Sequence, residues 1–130
     1  METATHESRQ VVAAFWAAMQ TNDFRAAAAL LADSFVLEWP QSNERIRGAA
    51  NFVRMNAEYP SHGPWRFEVH RIVASQTTAV SDVGVTDGVQ TGRALSFFTV
   101  SQGKISRLLE FWPEPYAAPA SRAHLVEPIA

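Results

Sequence analysis

Residues 77–112 of this 130-residue chain are TTAVSDVGVTDGVQTGRALSFFTVSQGKISRLLEFW. Asp87-Gly88 and Gln102-Gly103 divide the stretch into three apolar-rich segments, and such dipeptides are typical of tight hairpin turns. A segment with strand-like alternation, Trp65 to Ala74, comes before it. The pattern therefore predicts an antiparallel meander of four strands.

The first half of the chain favours three helices and one short strand. Apolar side chains spaced by three and four positions predict a helix from Glu7 to Gln20. A second helix from Asp23 to Ala32 and a third from Gly48 to Tyr59 have suitable first residues. Phe35 to Trp39 is a short strand, and a polar loop, Gln41 to Arg47, follows it. We expect the α+β class, with three N-terminal helices packed on a curved antiparallel sheet.

Length and composition limit the architecture and the chemistry. At 130 residues and 47% hydrophobic content, we expect one domain with a core over residues 7–112. Residues 113–130 form a proline-rich tail, which we expect to lie partly ordered on a sheet edge or a partner subunit because Leu125, Val126 and Ile129 are apolar. The absence of cysteine excludes disulfides, a thiolate nucleophile and any cysteine-ligated metal.

Charge and hydropathy argue against several partners. Eleven basic and 13 acidic residues give a net charge of −2, without a basic cluster, so we expect no nucleic-acid binding. The apolar runs are too short to cross a membrane and the first ten residues hold no basic leader, so we expect a cytoplasmic protein. The four histidines lack metal-site spacing, so we expect no metal and no other cofactor.

Hairpin geometry suggests a polar group on one face of the meander. If both turns contain only two residues, Asp82 lies opposite Arg93 and Leu95 lies opposite Glu110. Asp82, Arg93 and Glu110 then share a face, where they could polarise a water molecule or bind an oxygenated ligand. The alternative is an ordinary structural ion pair. A one-residue slip at either turn would move one of the three to the other face.

The same predicted register makes the opposite face of the meander apolar. It would carry five large side chains: Phe98, Val100, Ile105, Leu109 and Phe111. A patch of this kind usually needs a cover, and a second copy of the chain is the simplest one. We therefore expect a homodimer through this face.

Four motifs link the chain to a known superfamily. They are NDFxAxxxLLADSFVLEWP at residues 22–40, RIRG at residues 45–48, GKI at residues 103–105 and EFW at residues 110–112. Together they resemble the nuclear transport factor 2-like superfamily, and its SnoaL-like branch most closely, over Glu7 to Trp112. The resemblance implies a cone-shaped α+β scaffold that hosts isomerases, cyclases, hydrolases and non-catalytic binding proteins.

The enzymes of this superfamily carry polar residues that this chain lacks. Where a ketosteroid isomerase has its aspartate base, its tyrosine and its carboxylic acid, this chain has Trp39, Phe15 and Leu95. The polyketide-cyclase aspartate late in the last strand is also absent. Arg93 and Glu110 match the arginine and one carboxylate of the epoxide-hydrolase branch, whose second acid falls at Leu95.

In a cone-shaped fold the core and the ligand cavity share one space, so apolar side chains double as lining. We expect the lining to include Phe15, Trp39, Phe52, Tyr59, Leu95, Phe97, Leu108 and Trp112. The predicted ligand is a small, mostly apolar molecule that bears oxygen. If the protein is an enzyme, Glu110 is the leading acid–base group, with Arg93 positioning it and Asp82 in support. The alternative is a non-catalytic ligand-binding or dimeric interaction module.

Overall fold

The computed structural model describes residues 2–130, in which helices cover one face of a curved six-stranded sheet. The elements are α1 (Glu2–Gln20), α2 (Phe24–Ala28), β1 (Leu31–Trp39), β2 (Glu44–Arg47), α3 (Gly48–Glu58), β3 (Arg66–Ser75), β4 (Thr78–Thr86), β5 (Thr91–Ser101), β6 (Lys104–Phe111) and a 3₁₀ helix (Ala120–Leu125). The strand order is β2-β1-β6-β5-β4-β3. The predicted α+β class is confirmed.

The sheet is mixed, whereas the sequence predicted an antiparallel one. Strands β3 to β6 form the predicted antiparallel meander, but β1 runs parallel to β6. Residues 44–47, expected in a loop, form β2 and pair with β1. The second helix ends at Ala28 rather than Ala32, because Leu31 already pairs with Ile105 of β6. Tertiary pairing thus overrides the local helix preference of this alanine-rich segment.

Local sequence signals explain the helix positions. Helix α1 buries a stripe of apolar residues, Val12, Phe15, Trp16 and Met19, against β3, β4 and β5. Asp23 caps α2 as predicted, and its side chain accepts a hydrogen bond from the backbone nitrogen of Arg25. No helix within residues 2–130 is long and apolar enough to cross a membrane.

Aromatic side chains from the helices and the sheet meet in the core. Phe15 of α1 lies 5.5 Å from Phe98 of β5 and 5.9 Å from Phe52 of α3, measured between ring centroids. Phe35 of β1 packs edge-on against the same Phe52. These tilted and edge-to-face contacts fix the helices on the inner face of the sheet, which we define as the helix-covered face.

A β-bulge in the last hairpin overturns the predicted pairing of Glu110. Val100 pairs with Ile105 as expected, but Thr99 pairs with Arg107, so Ser106 is an extra residue in β6. Beyond the bulge the register is shifted by one residue. Glu110 therefore lies opposite Ser96, not Leu95, and points to the inner face.

The turn between β4 and β5 is longer than predicted but preserves the faces. Thr86 pairs with Thr91, so the connection contains four residues instead of two. Asp82 consequently lies opposite Leu95 and diagonal to Arg93, rather than directly opposite Arg93. A two-residue shift leaves the alternation of side chains unchanged, so Asp82 and Arg93 still share a face, which is the outer one.

The bulge also changes the predicted dimer face. Phe98, Val100 and Ile105 are at most 3% exposed and belong to the core on the inner face. Only Leu109 and Phe111 of the predicted set lie on the outer face. They pair there with two residues of β5, and we call the resulting group the outer patch: Leu95, Phe97, Leu109 and Phe111.

Candidate functional site

A cavity of about 920 Å³ lies between the helices and the inner face of the sheet. Ten of the residues that border it are aromatic or methionine. Six of the eight predicted lining residues border it: Phe15, Trp39, Phe52, Tyr59, Leu108 and Trp112. The prediction was wrong for Leu95 and Phe97, because the bulge places both on the outer face.

Glu110 is the buried acidic group of this wall. Its side chain is 5% exposed and reaches the cavity from β6. Oε1 accepts a hydrogen bond of 3.0 Å from the indole nitrogen of Trp39, and Oε2 accepts one of 2.6 Å from the hydroxyl of Ser96. Each carboxyl oxygen retains a second lone pair, so the group can still engage a ligand in the cavity.

The environment of Glu110 favours its neutral form. Burial raises the pKa of the Glu110 carboxyl above its ordinary value, and the side chains of Ser96, Trp39 and Trp112 oppose that shift only in part. Among residues 2–130, no ion pair includes this carboxyl. A carboxylic acid whose pKa is raised by an apolar site can donate a proton and take it back.

Arg93 borders the same cavity as Glu110, but neither Arg93 nor Asp82 forms a hydrogen bond or ion pair with Glu110. The guanidinium of Arg93 forms a two-point ion pair with the carboxylate of Asp82 on the outer face. This contact lowers the pKa of Asp82, chiefly through the hydrogen bond from Arg93. The prediction that all three groups share a face is wrong, because the one-residue shift of the bulge turns Glu110 inward.

Ser96, beside Glu110, was missed by the sequence reasoning, whereas Trp16 was expected among the aromatic residues of the cavity. Ser96 is fully buried next to the carboxyl, and Trp16 lines the cavity while its indole nitrogen donates to Ser81. The alternation within β5 carried a signal for Ser96. Arg93 and Thr99 are polar residues on the other parity, which is typical of a strand face turned away from the core.

Polar residues border the cavity at its rim. Gln41 and Trp112 are joined by a pair of hydrogen bonds between the Gln41 side-chain amide and the Trp112 backbone, of 3.2 and 2.5 Å. Both residues line the cavity, as do Ser42, Asn56 and Gln90. We call this pair of hydrogen bonds the clamp between Gln41 and Trp112. It holds the connection between β1 and β2 against the end of β6.

Asp87 ties two loops together beside this rim. Its buried carboxylate accepts hydrogen bonds from the backbone nitrogens of His62, Val89 and Gln90, and from the Gln90 side chain. Burial alone would raise the pKa of Asp87, but these donors hold it well below its ordinary value. We call these contacts of Asp87 the latch. His62 is its exposed member and does not line the cavity.

Metal-ligating side chains are scattered. Over residues 2–130, the structure places no group of three or more histidine, aspartate or glutamate residues that could hold a metal ion. Besides Glu110, its hydrogen-bond donors and the amides of the rim, the cavity is bordered by the titratable side chains of Glu44, Tyr59, His70, Arg93 and Glu114.

Comparison with known families shows which family the chain belongs to. A family model described as the SnoaL-like domain matches residues 12–108, which is most of the chain. The chain is a member of the SnoaL-like domain family. The predicted resemblance to the nuclear transport factor 2-like superfamily is thereby confirmed, and with it a scaffold used for small-molecule sites.

Solved structures share the fold of this SnoaL-like protein over nearly its whole length. A candidate ketosteroid isomerase from Kribbella flavida is 36% identical, with 97% of this chain and 92% of that chain covered and a TM-score of 0.89. A nuclear transport factor 2-like protein of unknown function from Burkholderia xenovorans is 25% identical, with 98% of each chain covered and a TM-score of 0.80.

A more distant neighbour shows the fold alone. An epoxide hydrolase from Mycobacterium tuberculosis is 24% identical, with 84% of each chain covered and a TM-score of 0.69. A search of the curated proteins gave no significant match.

Proposed function

We propose that this SnoaL-like protein binds a small, mostly apolar, oxygen-bearing molecule in its cavity, and that Glu110 exchanges a proton with an oxygen of that molecule. The observation that carries the proposal is the placement of Glu110: a buried carboxyl on the cavity wall, held by Trp39 and Ser96 without a cation. A neutral carboxylic acid is a good hydrogen-bond donor to a carbonyl, hydroxyl or ether oxygen.

The surroundings of Glu110 favour acid catalysis over enolisation. An enolising isomerase needs a base near carbon and donors for the developing oxyanion. Phe15 and Trp39 stand where the resemblance to ketosteroid isomerases would require polar groups, and the indole nitrogen of Trp39 is already bound to Glu110. We therefore assign Glu110 the role of a general acid that needs no cofactor. Arg93 and Asp82 keep a structural role on the outer face.

The alternative function is binding without catalysis. It is supported by the isolation of Glu110, since no second carboxyl or histidine contacts it in the described part of the chain. In that case Glu110 orients the ligand by a single hydrogen bond and no bond in the ligand breaks.

A thermal-shift screen separates these functions. The wild type and Glu110→Gln are heated with matched panels of hydrophobic ketones, alcohols and epoxides, because a specific ligand stabilises the folded state by mass action. Glu114→Gln is the control, since Glu114 is an exposed carboxyl at the rim of the same cavity. Each hit is then incubated with the three proteins and analysed by mass spectrometry for a product.

Each outcome of the screen has a distinct meaning. Ligand binding with a product from the wild type and Glu114→Gln, but not from Glu110→Gln, supports acid catalysis. Binding without any product supports the non-catalytic function. Equal turnover by all three proteins contradicts the role of Glu110, and no stabilisation by any apolar compound contradicts the ligand class.

We also propose that the protein is a homodimer through its outer patch. Leu95 pairs directly with Phe111 and Phe97 with Leu109, so four large apolar side chains lie together on this face. Phe97 is 41% exposed although it lies in the middle of a strand. Such a face normally packs against another sheet.

Charges beside the outer patch suit a second copy. Glu38 binds Arg45 and Arg107 on the β1 side, and Asp82 binds Arg93 on the β4 side. Both signs are thus present on both sides, as a self-complementary interface requires. The cytoplasmic location stays a prediction, which fractionation of the producing cells would test.

A further inference from the structure

The C-terminal tail, residues 113–130, borders its own subunit at its root and is exposed along its whole length. It is extended apart from the 3₁₀ helix, and every one of its residues is exposed. Tyr116, Leu125, Val126 and Ile129 expose between 52% and 106% of their surface. Within residues 2–130, the tail's one backbone hydrogen bond outside regular helices and strands joins Arg122 to Pro119, inside the tail itself.

The tail is nevertheless included in the matches to solved structures. The match to the Kribbella flavida protein covers 97% of this chain, and the match to the Burkholderia xenovorans protein covers 98%. Because 3% of the chain is about four residues, both matches extend over most of the tail. An end segment that touches nothing normally varies between relatives. A tail that both matches include therefore points to a contact outside the subunit.

The tail's chemistry excludes the other common partners. It carries Glu114, Glu127, Arg122 and His124, with no cluster of Lys and Arg for an anionic membrane or a nucleic acid. Its apolar residues are spread over an extended, proline-fixed segment, not gathered on one side of a long helix. What remains is a protein surface with apolar contacts.

The tail begins beside the proposed dimer interface. It leaves the sheet directly after Phe111, a member of the outer patch, and the clamp between Gln41 and Trp112 fixes the direction of departure. The twelve extended residues advance about 3.1 Å each and the six residues of the 3₁₀ helix about 2.0 Å each, so the tail can reach roughly 50 Å. That distance is enough to cross the outer face and arrive on a second subunit.

We propose that the tail is an exchanged arm, whose apolar residues Leu125, Val126 and Ile129 pack on a second copy of this chain. Three residues at its root, Pro113, Glu114 and Pro115, border the cavity of their own subunit. Docking of the arm therefore also fixes one side of the cavity rim. The proposal rests on the proposed homodimer and does not depend on the acid role of Glu110.

Photocrosslinking in mixed dimers tests the exchange. One preparation carries the photoreactive residue benzoylphenylalanine in place of Ile129, and the other is wild type labelled uniformly with ¹⁵N. The two are mixed, allowed to exchange subunits and irradiated. Peptide pairs are then read by mass spectrometry. We expect crosslinks between an unlabelled tail and a labelled body. Crosslinks found only within unlabelled chains, or no crosslinks at all, would overturn the proposal.

Dimer affinity provides a second measurement. Deleting residues 116–130 and substituting Leu125→Asp with Ile129→Asp should each raise the dimer Kd at least tenfold, measured by analytical ultracentrifugation. Ser121→Asp is the control, because it adds a charge to an exposed polar position of the tail and should leave Kd within twofold. An unchanged Kd in both tail variants refutes the exchange, while ligand binding by these variants reports separately on the cavity.

Discussion

The indole nitrogen of Trp39 lies 3.0 Å from Oε1 of Glu110, so the last residue of β1 holds the carboxyl of the parallel strand β6. Ser96 of β5 holds the other oxygen. Three neighbouring strands thus converge on one buried acid and fix its rotamer. A buried polar group that is satisfied on both oxygens is rigid, and rigidity is what a positioned acid requires.

The first prediction concerns the pH dependence of stability. The pKa of Glu110 is raised in the folded chain, so the folded state holds the proton more tightly than the unfolded state does. The resulting stabilisation is complete below the ordinary glutamate pKa of about 4.3 and is lost as pH rises through the folded pKa. Glu110→Gln should remove this decline.

Urea unfolding at half-unit steps from pH 4 to pH 8 measures the decline. The loss in the wild type should be about 1.4 kcal/mol for each pH unit that separates the folded and unfolded pKa values. Glu114→Gln, at an exposed carboxyl, should behave as the wild type does. Parallel curves for the wild type and Glu110→Gln would contradict a raised pKa.

A second prediction separates the effect of the two hydrogen-bond donors on the pKa of Glu110 from the effect of general packing. Trp39→Phe and Ser96→Ala each delete one hydrogen bond to Glu110 and should raise its pKa further, because the lost bond favours the charged form. Each should also lower the free energy of unfolding by about 1–3 kcal/mol. Carbon-13 NMR titration of the carboxyl measures the pKa directly.

The matched control for these donors is Trp16→Phe. It removes another buried indole hydrogen bond, to Ser81, and should lower stability by a similar amount. The pKa of Glu110 should not move, since Trp16 does not contact it. A pKa change of equal size in all three variants would mean that loosened packing, not the hydrogen bonds, sets the acidity.

The third prediction uses two neighbouring phenylalanines on opposite faces. Phe97→Glu places a charge in the outer patch and should yield a folded monomer, because the interface is lost while the core is intact. Phe98 is fully buried, and Phe98→Glu should prevent folding because an unpaired charge enters the core. Light scattering gives the mass and circular dichroism the fold. A dimeric Phe97→Glu protein would exclude the proposed interface.

A fourth prediction addresses the latch at Asp87. Asp87→Asn replaces one acceptor oxygen by an amide donor that faces the donors of His62 and Gln90, so the melting temperature should fall by several degrees. Because the folded pKa of Asp87 is lowered, its stabilisation is present above the ordinary aspartate pKa and is lost only as pH falls towards the folded value.

Asp33→Asn is the matched control for the latch, because Asp33 is an exposed aspartate on β1. Differential scanning calorimetry at pH 7 should show little change in this variant. Equal melting temperatures for Asp87→Asn and the wild type would show that the loop contacts of Asp87 contribute nothing.

Much of the fold was predictable because its signals are local. Hydrophobic spacing located α1, Asp23 located the start of α2, and turn dipeptides located the hairpins of the meander. Strand β2 was missed because nothing in its own charged sequence indicates that it pairs with β1. Parallel pairing of β1 with β6 joins residues about 70 positions apart, and no local pattern reports such a contact.

The sequence by itself determined that Glu110 is the acidic residue to examine and that aromatic side chains surround a cavity. Only the tertiary structure decided which groups lie beside Glu110. One extra residue at Ser106 turns Glu110 away from Arg93 and towards Ser96. Side chains alternate with a period of two along a strand, so a single bulge exchanges the faces, and its position depends on packing across the whole sheet.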